Sequence, residues 1–498
     1  GDPYLSQSGI SRDTDQTFYF DARLDWKRSF GDHNLTAMMM YMMREYRHDV
    51  LPNRNQGYSG RITYDYANRY LLEFNFGYNG SERLASGTRF EFFPAASIGW
   101  VVSSEKFWEP LSQYVNHLKV RASYGLVGSD DFNGKAPHFL YQNQIGIGKA
   151  YDFWTGLPTN EQKRNGANFE ILSIQDAGWE HVKKFDIGVD LSLFNQVNIT
   201  FDYFHDVRDR ILMSRASWPI MLGYWGSTPW SNIGEVTNSG VELSLNWSKQ
   251  FGKDWAVDFR SNFTYNQNEY KYVDEPAYPY VWQTKTGKPL NTLTGYVAEG
   301  LFTSEEEIAN WADQSQLGTN IMPGDIKYRD IDGNGRITEE DKVMLSPYNN
   351  IPRIQYGFGL NVTYKKLDFG VFFNGSAKRK IMIDSGFAPF LVSGGDGMEG
   401  ETLARNLMQW IADDHWSVDN PNPNATYPRL GTTKSDVSNN TQASSYWVRN
   451  GNFLRFKTLE VGYRFPMCRV YFSGDNLAVF SPFKLWDPEL SWNSYPLQ

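Results

Sequence analysis

Hydrophobic and polar residues alternate along most of the chain with a period of two. Tyr58, Gly60, Ile62, Tyr64 and Tyr66 fall on one side of an extended segment, and Ser59, Arg61, Thr63 and Asp65 on the other. After a break at Ala67, Asn68 and Arg69, the pattern resumes with Tyr70, Leu72, Phe74, Phe76 and Tyr78. Successive side chains on a strand point to opposite faces, so each run predicts a strand with one greasy and one wet side. Two such runs joined by a tight turn predict a hairpin. The unit recurs at 185–193 with 199–203, at 241–247 with 255–265, and at 354–364 with 367–373. Phe18, Phe20, Leu24 and Trp26 precede a Met-rich run from Leu35 to Met43, and further candidates lie at 95–103, 117–127, 454–465 and 469–474. The total is about 14 strands, many near the ~10 residues that a tilted strand needs to cross a bilayer. In 454–465 the phase slips near Lys457 and Thr458, which predicts a bulge.

Connections alternate in length. Those inside hairpins (67–69, 194–197, 248–254 and Lys365–Lys366) are short, and those between hairpins (128–183, 206–239, 267–353 and 376–453) are long. Aromatics bracket the short turns: Tyr66 and Tyr70, Trp247 and Trp255, Tyr364, and Trp26. Such rings favour a membrane interface, where the ring sits in hydrocarbon and its polar tip reaches water. The expected fold is all-β: a transmembrane antiparallel β-barrel with short periplasmic turns and long extracellular loops. A soluble β-sandwich would alternate in the same way but leaves the one-sided loops and grouped aromatics unexplained.

Composition narrows the field. The chain has 498 residues with 48 basic and 57 acidic side chains, a net charge of −9, which argues against nucleic acid as a partner. Aromatic residues make up 16%. No run of about 18 apolar residues exists, so no membrane-spanning helix is expected, a test to which barrel strands are blind. The single cysteine, Cys468, excludes an internal disulfide framework and a Cys-rich metal site. Gly1 opens neither a signal peptide nor an initiator Met, so the start is expected to be mature, cleaved or incomplete. A spanning sheet must pair every backbone group and close on itself. The end at Ser494–Gln498 supplies no closing strand, and RFPMCRVYF from Arg464 joins two strand-like runs with almost no turn, as if a connection were absent. The chain therefore reads as an incomplete portion of a larger protein.

Several phrases carry a family likeness: YLLEFNFGYNGSERL from Tyr70, FFPAASIGWVVSSEKFW from Phe92, LKVRASYGLVG from Leu118 and NIGEVTNSGVEL from Asn232. GDIKYRDIDGNGRITEEDK from Gly324, NFLRFKTLEVGYRFP from Asn452, SGDNLAVF from Ser473 and LWDPEL from Leu485 continue the series. In this order, over nearly all of the chain, they resemble the C-terminal barrel half of SusC/RagA-like TonB-dependent outer-membrane transporters of Bacteroidetes. The resemblance implies a barrel of about 22 strands, an N-terminal plug, the TonB complex reached through a missing N-terminal region, and a SusD-like lipoprotein lid. It also implies outer-membrane lipid around the barrel and a dimer of transporter–lipoprotein pairs. The plug, the first strands and the family's final strand are not visible in residues 1–498.

One constellation has metal-like spacing. Asp330, Asp332 and Asn334 occupy positions 1, 3 and 5 of a loop with Gly335 at the turn, Arg336 placed to offer its carbonyl, and Asp341 at position 12. Hard oxygens gathered in this way suit a structural Ca²⁺, and an Asp/Asn/Gly-rich turn without metal is the alternative. No nucleophile motif emerges, and the expectation is no enzyme and no organic cofactor. His205 beside Asp206, and His415 after Asp413 and Asp414, read as solvated loop neighbours. Glu305, Glu306 and Glu307 read as a helix start. Trp218, Tyr224, Trp225 and Trp230 fall within one long loop and are substrate-binding candidates, with Trp282, Trp410 and Trp416 in other loops. Their faces could stack on sugars or peptide side chains, or pack the loops together. Asp186, Asp190, Arg61 and Glu242 are expected to face a watery lumen.

The function expected from these readings is TonB-dependent import of an oligosaccharide or oligopeptide. The alternatives are a passive porin-like channel, or a secreted β-rich glycan-binding or glycan-cleaving protein with a calcium loop.

Overall fold

Period-two segments of about 12 residues cannot bury their greasy side within one hairpin, so they assemble edge to edge. The computed structural model describes residues 15–47, 52–132, 138–155, 162–219, 221, 229–383, 409–431 and 436–490. One antiparallel sheet of fourteen strands contains every strand expected from the alternation, each paired with its neighbour in chain order. The first eight are β1 (Gln16–Phe30), β2 (His33–Arg47), β3 (Asn53–Tyr66), β4 (Tyr70–Ser81), β5 (Phe90–Val101), β6 (Val115–Ser129), β7 (Glu180–Leu193) and β8 (Val197–Ser214). The others are β9 (Trp230–Phe251), β10 (Trp255–Tyr272), β11 (Ile354–Tyr364), β12 (Leu367–Ala377), β13 (Phe453–Arg464) and β14 (Arg469–Phe480). The chain divides into two compact units, residues 1–241 with 271–277, and residues 242–270 with 278–498.

Register aligns the apolar positions across strands. In the first unit Leu72 lies opposite both Tyr64 and Ile98, and Val189 opposite both Val120 and Phe201. In the second, Phe259 faces Leu360, Leu360 faces Val371, and Val371 faces Leu459. These rows are not covered by a second layer: Leu24 is 74% exposed and Ile98 59%, and Ile62, Leu72, Phe201, Phe369 and Phe472 are exposed as well. Large apolar rows left open over a whole sheet face fit a hydrocarbon solvent and not the interior of a sandwich.

Short turns set the hairpins. Ala67 and Asn68, and likewise Phe194 and Asn195, all have φ of 53–54°, a consecutive left-handed pair within a tight three-residue hairpin loop. The bulge is present, with Lys457 skipped on both of its flanks. One expectation fails here. The connection expected to have almost no turn is a closed tight turn, Phe465–Cys468, with Arg464 paired to Arg469 and the Phe465 N–H donating to the Cys468 carbonyl at 2.8 Å. The 206–239 segment is likewise mostly strand, because β8 runs on to Ser214 and β9 starts at Trp230. His205 and Asp206 therefore lie on β8, opposite Phe185 and Lys184, and not in a loop.

The longer connections are folded. Gln144–Thr155 pairs with Gln162–Ile171 in the first unit. In the second, Leu293–Gly295 pairs with Val343–Ser346, Ala298–Leu301 with Ile326–Tyr328, and Lys380–Met382 with Val448–Asn450. Glu305–Ala309 is the expected helix, capped by the Ser304 side chain accepting from the Glu307 N–H. Among the described residues no helix is long and apolar enough to cross a membrane, which says nothing of strands.

Candidate functional site: the polar wall and the loop cap

The face opposite the greasy rows carries charge. Arg121 on β6 reaches Asp186 at 3.1 Å and Asp190 at 3.5 Å on β7, and Asp202 on β8. It fits because Gly188, directly opposite, has no side chain: a Cβ there would lie 2.6 Å from the guanidinium carbon. Arg61 pairs with Glu73 at 2.7 Å, and Arg469 with Asp368 and Glu460. Asp186, Asp190 and Arg61 thus sit where the sequence places them, on the wet face. Glu242 is exposed. The wall is not purely polar, since Arg260 stacks over the Phe372 ring at 5.2 Å.

At the long-connection end of the second unit, the loops share a hydrophobic core. Tyr296, Ile326, Tyr328, Ile337, Ile411 and Val437 are fully buried there, beside Leu301, Trp416 and Trp447. Burying each large side chain contributes about 1.5–3 kcal/mol, which lets irregular segments hold one shape. A polar spine runs through this core. Gln314 donates to the Ile326 carbonyl and to Asn439, and its own carbonyl accepts from the Tyr328 N–H at 2.7 Å. Asn440 accepts from the Ile326 N–H and donates to Asp325, while the Trp447 indole donates to the Asn440 carbonyl. The buried phenols stay protonated: burial pushes the Tyr427 hydroxyl up to about 12, and those of Tyr296, Tyr328 and Tyr446 upwards as well. We refer to this structure as the cap.

The aromatic candidates divide. Trp416 is core, its ring lying against Gly324 (φ +90°), where a Cβ would clash at 2.2 Å. Trp230 begins β9 and packs on a smaller core of Leu84, Phe93, Phe132, Leu140, Trp179 and Leu212, which corrects its placement in a loop. Trp218 is half-buried, and its backbone N–H donates to the Arg215 carbonyl at 3.1 Å. Tyr224 and Trp225 lie outside the described residues, as does the Trp410 side chain. Trp282 lines an open cavity of about 500 Å³ with Tyr270, Tyr278, Lys285, Lys288 and Lys342. Its ring stacks on Tyr280 at 4.4 Å and its indole donates to the Glu340 carbonyl.

The Asp330–Asp341 loop brings three carboxylates together: ligand oxygens of Asp330, Asp332 and Asp341 lie within 4.8 Å of one another. Each also accepts backbone N–H groups, Asp330 from Gly333 and Gly335, Asp332 from Asn334, and buried Asp341 from Ile331 and Thr338. Asn334 turns its oxygen to the Arg336 N–H at 2.8 Å and its amide to Asp332. Gly335 and Ile337 bond Asp313 at 2.9 and 2.8 Å, so the Arg336 N–H and carbonyl face away from Asp313, over the loop. The donor set is hard oxygen, suited to Ca²⁺ or Mg²⁺. The Tyr280 hydroxyl bonds Asp332 and ties the loop to the Trp282 stack.

Sequence reasoning misses two features. The Gln314–Asn439–Asn440 spine joins residues more than a hundred positions apart and has no local pattern. Buried Arg455 on β13 pairs with Asp487 at 2.5 Å and Glu489 at 2.7 Å, docking the segment after β14. The LWDPEL phrase was its one signal.

Comparison with known proteins agrees with this architecture. Residues 2–477 match the family described as TonB dependent receptor-like, beta-barrel. TonB-dependent receptor P3 of Formosa agariphila is 26% identical over 461 residues, covering 87% of this chain and 42% of the relative. TonB-dependent receptor SusC of Bacteroides thetaiotaomicron is 24% identical over 485 residues, covering 91% of this chain and 44% of SusC. The chain thus spans less than half the length of the curated relatives it matches. A solved structure of the RagAB peptide transporter superposes with a TM-score of 0.70 at 19% identity, over 95% of this chain and 53% of that one. The chain belongs to the TonB dependent receptor-like β-barrel family.

Proposed function

We propose that the chain is part of the wall and outer loops of an outer-membrane active importer that takes up oligosaccharides or oligopeptides in a TonB-dependent manner. The observation that carries this reading is the two-sided wall, with Leu, Phe and Ile rows left open on one face and the Arg121–Asp186–Asp202 cluster on the other. A wall of this kind separates lipid from a hydrated bore. The cap holds the loops of the second unit in one shape, and the Trp282 cavity supplies an aromatic and cationic ligand surface within that unit. A SusD-type surface lipoprotein as lid follows from the SusC/RagA likeness. Ca²⁺ in the Asp330–Asp341 loop would stiffen the cap segment that carries Tyr280 and Trp282.

The test is uptake by cells carrying the full-length protein and its lipoprotein, offered labelled oligosaccharide and oligopeptide pools. One pool is expected to accumulate only while TonB is present. Uptake that persists after TonB is removed would mean a passive channel and would overturn the proposal.

A further inference from the structure

The β5–β6 connection stands apart from the other short turns. It spans 102–114, carries two short stretches of tight helix at Val102–Ser104 and Lys106–Leu111, and leaves Phe107, Leu111 and Tyr114 open. Phe107 is 63% exposed, Tyr114 53% and Leu111 47%, while Val101 and Val102 beside them are buried. With three residues per turn, Lys106, Glu109 and Ser112 fall on one polar side, while Phe107, Leu111 and Tyr114 stand exposed on the remaining sides.

The segment continues the greasy face of the wall. Phe107 meets Trp100 edge-on at 6.5 Å, and Trp100 lies on the outward row opposite Tyr70. The polar tips of that row converge on one carboxylate: Glu105 accepts from the Tyr70 hydroxyl at 2.6 Å and the Trp100 indole at 3.2 Å, with Arg69 at 3.5 Å. The rings thus point into hydrocarbon and their tips towards water, which fixes the level of the interface at Glu105. The adjacent β7–β8 turn adds Phe194, 52% exposed, its ring edge-on to Tyr114 at 6.2 Å. Phe194 adopts a left-handed backbone with φ of 53°, a position that Asn or Gly occupies at lower cost. A bulky apolar residue held there at that cost needs a use for its ring.

We infer that segment 102–114, with Phe194, is an interfacial anchor that lies in the headgroup layer of the periplasm-facing leaflet, its occupant being phospholipid. An amphipathic segment lying flat in this way binds through its buried apolar area. Phe107, Leu111, Tyr114 and Phe194 enter the acyl boundary, and Glu109 and Lys106 stay in water. The inference rests on the membrane reading proposed above and adds a lipid-bound element to it.

The test places a nitroxide on the full-length protein, with Cys468 replaced by Ser, in vesicles of phosphatidylethanolamine and phosphatidylglycerol. Labels are introduced singly by Phe107→Cys, Leu111→Cys, Tyr114→Cys, Glu109→Cys and Ile98→Cys. Collision with oxygen, which concentrates in lipid, is compared with collision with a water-soluble nickel chelate. The oxygen-to-nickel ratio at 107, 111 and 114 should exceed that at 109 several-fold and fall short of that at 98. Ratios at 107, 111 and 114 equal to that at 109 would overturn the anchor. Shielding of these sites from both reagents would also overturn it, since a protein surface would then be the occupant. A watery Ile98 would instead sink the membrane reading itself, so the two failures are distinguishable.

Discussion

Asp325 and Arg429, 104 residues apart, form a buried charge pair of 2.7 Å that joins two loops of the cap. Arg429 also donates to the carbonyls of Asn320 and Asp436, and Asp325 accepts from the Met322 N–H and Asn440. The branches of the pair therefore hold two stretches together, 320–322 and 436–440. Asp325→Ala would leave Arg429 buried without its countercharge, at a cost of about 3–5 kcal/mol to the cap. Limited proteolysis of the full-length protein should then cut within 297–330 and 411–431, while the sheet stays resistant. Asp325→Asn keeps the shape and part of the hydrogen bonding, so its cutting should be slower.

The strands were legible because one physical rule governs them. Alternation must match the pleat wherever one face is greasy and the other wet, so Tyr58–Tyr66 or Ile354–Tyr364 declare themselves without knowledge of their partners. The bulge at Lys457 showed for the same reason, as a slip of phase. Strand ends were less legible: β8 and β9 extend beyond the alternating run, so 206–239 read as loop and Trp230 as a loop aromatic. The cap was hidden because its stability is non-local. Gln314 and Asn439, or Trp416 and Gly324, meet only after a long chain has folded, and nothing in either neighbourhood marks the other. Burial of Trp416 likewise depends on that meeting, so its role as packing was not distinguishable from ligand contact.

Acid should loosen one anchor of the first unit. Asp274 lies just beyond β10 and accepts from the Ser217 N–H at 3.0 Å, the Ser217 hydroxyl at 2.8 Å and Arg215 at 3.3 Å. Burial pushes its carboxyl up, but the Ser217 bonds and the Arg215 charge outweigh this and hold it below the usual carboxylate range. A lowered folded value means that the stabilisation is complete above about pH 4 and is lost as pH falls through the folded value. Amide exchange at Ser217, corrected for its intrinsic pH dependence, should accelerate only on acidification below about pH 4. Asp274→Asn should show faster exchange at neutral pH and lose the acid step.

The reading of the Asp330–Asp341 loop as a cation holder has its own consequence. Removing Ca²⁺ with a chelator should raise protease cutting between residues 278 and 353, and Asp330→Ala with Asp332→Ala should reproduce this in the presence of Ca²⁺. Metal analysis of the purified protein should find Ca²⁺ lost in the double variant. Unchanged metal content and unchanged cutting would contradict the assignment.

The account depends most on which side of the wall meets lipid, and two substitutions on one strand decide it. Ile62 lies on the open greasy row opposite Ala37 and Phe74, whereas Ser59 lies on the other face opposite Met40 and Gly77. The measurement is the unfolding free energy of the full-length protein in phospholipid vesicles with Ile62→Arg and, separately, Ser59→Arg. Arginine facing hydrocarbon should cost about 2–4 kcal/mol at position 62 and well under 1 kcal/mol at position 59. Equal costs, or a larger loss at 59, would place the greasy rows away from lipid and contradict the account.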